Sequence, residues 1–362
     1  MNKIKTLKFL DRIIGKPLSF LALKIARCKK EIPSRYEKIL IIRPGGIGDA
    51  VLLLPAINSL KGEFPYSEID ILCEKRNADI FRLSKNIKHI YLYDKDMDIF
   101  KCLKNKYDVV IDTEQWHRLS AVVAYLTRAP VRIGFDTNER KNFFSNKIPY
   151  SHEDYEVYSF FHLIKPITGK LLNFNVEEPF ISTTIFPPVQ SLLKGIKNAV
   201  AIFPGASVEE RRWGGAKFGE VAKRLHDNGY GIVILGSGSD HTDAEKIKKC
   251  VADSLDITGR TTLSEVACIL KECRLLITAD SGLMHIAYGV GTPTVSLFGS
   301  GIEKKWAPAG KRNIVINKRL DCSPCTNFGY TPRCKRNVEC LSYIKVEDVV
   351  KAAEILLTQK HI

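Results

Sequence analysis

Acidic residues are scarce in this chain of 362 residues: 40 Asp and Glu stand against 55 Lys and Arg, for a net charge of +15. The excess points to an anionic partner, and charge alone does not choose among nucleic acid, membrane surface and polyanionic substrate. It is also uneven. Residues 1–38 hold eleven Lys and Arg against Asp11, Glu31 and Glu37. The same segment lacks a long apolar run: its best uncharged stretch, Leu18 to Leu23, falls far short of the ~20 residues of a spanning helix. No small-residue cleavage site follows it, which excludes an ordinary signal peptide. What remains from Ile4 to Arg27 is an apolar face (Ile4, Leu7, Leu10, Ile14, Leu18, Leu21, Ile25) studded with lysines. Two readings stand, an interfacial helix on an anionic membrane and a helix docked on the protein itself.

A second absence is of any stripe of interleaved aromatic and basic residues, which argues against nucleic acid. A third concerns the cysteines. There are ten, but no paired CxxC framework. Six are scattered singly (Cys28, Cys73, Cys102, Cys250, Cys268, Cys273), as in a reduced protein. The other four, Cys322, Cys325, Cys334 and Cys340, form one CxxC with two loosely spaced companions. That spacing admits a structural metal, zinc or iron, beside a loop packed by reduced thiols.

With 45% hydrophobic and 26% charged residues, the chain is globular and long enough for two domains. Strands and helices alternate. Lys38–Arg43, Ile69–Leu72, His89–Leu92 and Tyr107–Asp112 read as strands, with helices at Ala50–Gly62 and Asn77–Leu83. Residues 181–198, with Phe186-Pro187-Pro188 and Gly195, break the rhythm and read as a linker. Strands at Ala199–Phe203, Gly231–Leu235, Arg274–Ala279 and Thr294–Phe298 then alternate with helices at Lys217–Asn228, Asp243–Val251 and Ser264–Lys271. Val346–Leu357 closes the chain as a helix. The expected fold class is α/β: two doubly wound, Rossmann-like domains facing a central cleft at the carboxyl ends of their sheets. The expected divisions are a basic segment 1–37, a first domain 38–180, the linker 181–198, and a second domain 199–362 with a cysteine-rich loop 322–340.

Chemistry concentrates at strand ends. Asp280-Ser281-Gly282-Leu283-Met284-His285 follows an apolar strand and opens a helix, a layout that aims backbone N–H groups at an anion. His285 falls on the first helical turn. Phe203-Pro204-Gly205-Ala206-Ser207, followed by Arg211-Arg212-Trp213, offers a hydroxyl and a cationic fork. Leu235-Gly236-Ser237-Gly238-Ser239-Asp240 is a third glycine turn and reads equally well as a bland loop. Gly45-Gly46-Ile47-Gly48-Asp49 is a fourth. Val51 stands where a dinucleotide fingerprint needs its third glycine, and no Gly-Lys-Ser/Thr completes a Walker loop. A nicotinamide oxidoreductase is disfavoured accordingly. Asp49 has two readings at this point, a helix cap and a general base at a cleft.

Taken together, Arg43-Pro44-Gly45-Gly46-Ile47-Gly48-Asp49 with Leu54-Pro55-Ala56, Pro204-Gly205-Ala206-Ser207 with Arg212-Trp213, and Asp280-Ser281-Gly282-Leu283-Met284-His285 with Gly291-Thr292-Pro293 resemble the family 9 glycosyltransferases, the ADP-heptose:lipopolysaccharide heptosyltransferases. The resemblance covers about residues 38–357. It implies a GT-B fold and an inverting transfer of heptose, or a similar sugar, from an ADP-sugar to a hydroxyl of the lipopolysaccharide inner core, with no cofactor required. A protein acceptor and a non-catalytic binding module are the alternatives. It implies Asp49 as catalytic base, and Ser207 and Arg211 as contacts to the donor diphosphate. It further implies Asp280 as the acid facing the donor sugar, and Ser281, Gly282 and Leu283 as a phosphate cradle beside His285. Some members carry a cysteine-bound iron. The chain departs from the family where Ala206 replaces the first of two hydroxyls, and no adenine-facing acid is evident near Gly238. Lys61, Arg76, His117, Arg118 and Arg132 are candidates for an anionic acceptor. The implied location is the cytoplasm, peripheral on the inner membrane.

Overall fold

The computed structural model describes residues 35–95, 97–183 and 187–359. The basic segment 1–37 therefore lies almost wholly outside the described residues. Two compact units divide the chain, Met1–Phe174 and Asn175–Ile362.

The first unit runs β1 (Lys38–Arg43), α1 (Ile47–Glu63), β2 (Glu68–Cys73), α2 (Ala78–Arg82), β3 (His89–Leu92), α3 (Asp98–Lys104), β4 (Val109–Asp112), α4 (Leu119–Leu126), β5 (Val131–Phe135), β6 (Asn146–Ile148) and α5 (Glu156–Thr168). The second runs α6 (Pro187–Leu193), β7 (Val200–Phe203), α7 (Gly215–Asp227), β8 (Ile232–Ile234), α8 (His241–Cys250), β9 (Leu255–Asp256), α9 (Leu263–Glu272), β10 (Leu275–Ala279), α10 (Gly282–Val290), β11 (Thr294–Phe298), α11 (Glu303–Trp306), β12 (Asn313–Asn317), α12 (Glu339–Ser342) and α13 (Val346–Thr358).

Each unit holds one six-stranded sheet, ordered β3-β2-β1-β4-β5-β6 and β12-β11-β10-β7-β8-β9. Every pairing is parallel. A parallel sheet covered on both faces needs strands that are apolar throughout. β4, β7, β10 and β11 are buried at every position, and β1 at all but its first. In both sheets the chain starts in the middle, winds outward one way, then returns and winds the other way. The loops after β1 and β4 therefore diverge, as do those after β7 and β10. Such switch points are where open α/β sheets leave a crevice at their carboxyl ends.

The helices expected from sequence are present within a few residues. α1 starts earlier than expected, at Ile47, after Gly46 as N-cap with no side-chain capping bond. Asp49 is thus the third residue of the helix and not its cap. Four strands were missed by pattern, β5, β6, β9 and β12: β9 has two residues, β6 has three, β5 carries Arg132 and Gly134, and β12 begins and ends in Asn. Gly134 is glycine because the Phe144 ring occupies the space that a Cβ would take. Residues 175–181 pack on the second unit. Both Phe180 and Ile181 donate N–H to the Gly289 carbonyl at 2.9 Å.

Gly134→Ala should drive a methyl into the Phe144 ring. Overpacking of that kind costs about 1–3 kcal/mol, and urea unfolding of the first unit's spectroscopic signal should show a midpoint lowered accordingly.

Candidate functional site: two switch-point crevices

In the second unit the crevice is built on the loops after β7 and β10. Ser281 caps α10: its side chain accepts from the Met284 N–H at 3.4 Å and lies 3.1 Å from the Thr278 hydroxyl. The helix closes at Gly291, whose φ of 87° is the left-handed geometry glycine takes without strain. Leu283 through Val290 are buried. A capped, buried helix fixes the direction of its free N–H groups, and those groups favour an anion.

Asp280 is 5% exposed. The Arg211 guanidinium meets its Oδ2 at 3.1 Å. The other arm of Arg211 donates to Thr326 and Thr331, each at 3.3 Å, and its buried Nε has no hydrogen-bond partner among the described residues. A Cβ on Gly301 would collide with the Asp280 carboxylate. His285 is 3% exposed, and its Nδ1 likewise has no partner among the described residues. Burial, reinforced by the nearby Arg211 charge, pulls the His285 pKa down to about 3. The imidazole is therefore neutral at physiological pH, able to donate or accept without adding charge.

The other residues of this region divide into holders and contacts. Arg212 donates to the Ala206 carbonyl at 3.1 Å and to Asp240 at 2.9 Å, so it braces the loop. A Cβ on Gly205 would come within 2.5 Å of Asp240 Oδ1, which explains that glycine. Asp240 also accepts from Ser237 N–H and hydroxyl, at 2.9 and 2.7 Å, closing the turn at Gly236–Gly238. That third glycine turn is thus a braced 3-10 turn that leads into α8. Ser207 stands exposed on the loop after β7.

The cysteine-rich loop reaches the same crevice. Besides Thr326 and Thr331, Cys334 N–H donates to Glu210 at 3.2 Å, and the Ser300 hydroxyl donates to the Glu210 carbonyl at 3.2 Å. Cys334 Sγ accepts backbone N–H groups from Arg336 and Val338, at 3.3 and 3.4 Å. Burial, with help from the neighbouring thiols, pushes the Cys325 and Cys340 thiols up. Among the described residues no group of three or more His, Cys, Asp and Glu is placed to hold a metal ion. Cys322, Cys325, Cys334 and Cys340 are thus not gathered into one donor set there, and their loop stands as a wall behind Arg211.

In the first unit the crevice lies after β1 and β4. Asp49 presents a partly exposed carboxylate, its side chain 23% accessible, and Arg43 meets it at 3.0 Å. Glu114, on the loop after β4, lies 3.9 Å from the same guanidinium. Sequence reasoning passed over Arg43 and Glu114. The available signal was a lone cation ending the otherwise apolar β1. Arg76 lies beside Gly45 and pairs with Glu74 at 2.6 Å, while the His117 N–H bonds Glu114. Arg118 follows at the start of α4 and is bound to Glu139 by two donors, at 2.8 and 2.6 Å. Arg132 and Lys61 are placed elsewhere. Arg132 sits near the amino end of β5, donating to Phe143 and Ala129 carbonyls, and Lys61 donates to the Ser67 carbonyl.

A capped helix start with a neutral histidine in one Rossmann-like unit, and a carboxylate at the corresponding switch point of the other, belong to an α/β protein of two doubly wound units. The chain belongs to glycosyltransferase family 9 (heptosyltransferase), whose family model matches residues 97–333. It is 28% identical over 345 residues to lipopolysaccharide heptosyltransferase 3 of Escherichia coli, covering 86% of this chain and 96% of that one. Among solved structures it resembles E. coli ADP-heptose LPS heptosyltransferase II, with a TM-score of 0.72, 21% identity, and coverage of 89% and 99%. It also resembles a family 9 glycosyltransferase from Veillonella parvula, with a TM-score of 0.76, 21% identity, and coverage of 91% and 99%. The fold is the GT-B type of these heptosyltransferases.

A depressed histidine pKa has a stability consequence. Unfolded, His285 takes a proton near its ordinary value of about 6.5; folded, it resists until about 3. Its contribution is therefore intact above about 6.5 and drains away as pH falls through that window. NMR of ring-labelled histidine should show one imidazole, lost in His285→Gln, that does not titrate between pH 5 and 8.

Proposed function

We propose that the protein transfers a heptose from ADP-heptose to a hydroxyl of the lipopolysaccharide inner core, inverting the anomeric centre. The observation that carries this reading is the pairing of Arg211 with the buried Asp280 at the capped start of α10, a built site for a phosphorylated sugar in a member of this family.

In this reading the diphosphate lies against the first turn of α10, over Ser281, Gly282 and Leu283. Arg211 and the exposed Ser207 supply side-chain donors, and His285 adds a neutral one. Asp280, held by Arg211, accepts from the donor sugar's hydroxyls. Asp49 takes the proton of the acceptor hydroxyl as its oxygen attacks the anomeric carbon. The bond from that carbon to the diphosphate oxygen breaks, and its electron pair leaves with ADP. The sugar passes through an oxocarbenium-like state. Charge growing on the departing phosphate is met by preoriented N–H groups and by Arg211, which need not reorganise during the step. No step calls on a metal or cofactor. Arg76, His117 and Arg118, on the loops around Asp49, are the cations proposed to meet an anionic core sugar.

Asp49→Ala should abolish transfer while ADP-heptose binding, followed by calorimetry, persists. Transfer at near wild-type rate would remove Asp49 from its role. Arg211→Ala should weaken that binding by about 10–100-fold, the cost of a lost charge-assisted contact of roughly 1.5–3 kcal/mol; binding of UDP- or GDP-sugars as tight as that of ADP-heptose would overturn the donor assignment.

The proposed location is the cytoplasmic face of the inner membrane. Among the described residues no helix is long and apolar enough to cross a membrane. The lysine-studded segment before residue 38 supports peripheral attachment to anionic lipid. Deleting residues 1–30 should lower co-sedimentation with anionic vesicles at low salt, and unchanged partitioning would remove the membrane from the reading.

A further inference from the structure

We propose that Arg43 is a positioning residue: its guanidinium aims the Asp49 carboxylate, so that the proton acceptor is set by β1 and β4 together. The inference rests on the reading of Asp49 as the base.

Arg43 ends the central strand and is 2% exposed. Four elements fix it. Its Nη1 donates to the Thr113 carbonyl at 2.7 Å, just past β4, and its Nη2 donates to Asp49 Oδ2 at 3.0 Å in α1. The Phe160 ring of α5 lies 6.0 Å from its carbon. Gly45 arches over it with φ at +103°, where a Cβ would stand 3.5 Å from Nη2. A salt bridge between mobile surface chains would hold neither partner still. Here the cation is buried and held from several sides, and the Asp49 carboxylate it meets is partly exposed.

The charges around it make the arrangement a selective one. Glu114, from the loop after β4, shares the guanidinium, and its other oxygen takes the Trp116 and His117 N–H groups at 3.1 and 3.3 Å. Burial pushes the Glu114 carboxyl up, but Arg43, His117 and Arg140 outweigh it and leave it below the usual carboxylate range. Glu156, from α5, is fully buried and is occupied by Gln115 at 2.6 Å and Tyr150 at 3.1 Å. Burial, then the Glu156 and Asp49 charges, keep the Tyr150 phenol protonated. Arg76, paired with Glu74, is the remaining cation beside the Gly45 turn. Asp49 thus faces two further carboxylates, Glu114 and Glu156, across one buried cation. Without that cation the three acids repel, and the Asp49 carboxylate loses the contact that aims it.

The test is the pH dependence of kcat for transfer from ADP-heptose to deacylated core acceptor. Arg43→Gln should raise the acidic limb by about 1–3 units, the effect of one lost neighbouring charge, and lower kcat while leaving KM for the donor within a factor of two. Arg43→Lys keeps the charge and should restore most of the limb. Glu114→Gln removes a competitor for the cation and should move the limb the other way, to lower pH. That variant also decides the matter if Arg43→Gln fails to fold. A limb unmoved in Arg43→Gln, or moved upward in Glu114→Gln, overturns the proposal. Asp49→Asn run alongside separates the two layers. Persistent transfer in Asp49→Asn defeats the base assignment itself, whereas loss of transfer with an unmoved limb in the Arg43 variant defeats only the positioning role.

Discussion

Everything functional in this molecule depends on a constraint of chain winding. Each sheet begins with its central strand, winds outward on one side, then returns to the middle and winds outward on the other. The two central neighbours, β1 with β4 and β7 with β10, are hydrogen-bonded side by side. Their following loops leave in opposite directions, so no helix fills the space above the pair. Backbone N–H groups and short side chains at those strand ends are left without a partner element, and a ligand or a buried ion network supplies the partner. In the second unit the space is lined by Arg211, Asp280 and His285. In the first it is lined by Arg43, Asp49 and Glu114.

The two crevices solve the same geometric problem with opposite electrostatics. The second presents a helix N-terminus and a guanidinium toward the open space, and its histidine is kept neutral by burial, so positive potential is delivered mostly by fixed dipoles. Such a site suits phosphates, because preoriented dipoles need no reorganisation as charge develops. The first presents carboxylates, with the guanidinium behind them. Placing the cation underneath leaves the outward face of the Asp49 carboxylate open.

The cysteine-rich loop takes its meaning from the same crevice. Its composition suggested metal, but its contacts run to Arg211 and Glu210 through Thr326, Thr331 and the Cys334 N–H. Of the four cysteines of the loop, Cys340 is the buried one and serves as a small apolar residue. It packs where Gly299 could not carry a side chain.

Much of this was legible in the sequence, and the reason is local. Strand ends such as Thr278-Ala279-Asp280-Ser281-Gly282 announce themselves because an apolar run, a cap and a glycine are adjacent in the chain. The alternation of such runs determined two doubly wound units, and the motif residues determined the family. Short or interrupted strands such as β5 and β9 were not legible, because Arg132, Gly134 and two-residue lengths leave no period to read. Nor was the partnership of Arg43 with Glu114, 71 positions apart. Sequence alone placed Arg43 at the end of a strand and left Asp49 either a cap or a base. Only the tertiary structure decided, by starting α1 at Ile47 and by pairing β1 with β4, that the carboxylate stands on a buried cation. Local pattern determines which elements form; which charges meet is set by sheet order, and that is a property of the whole unit.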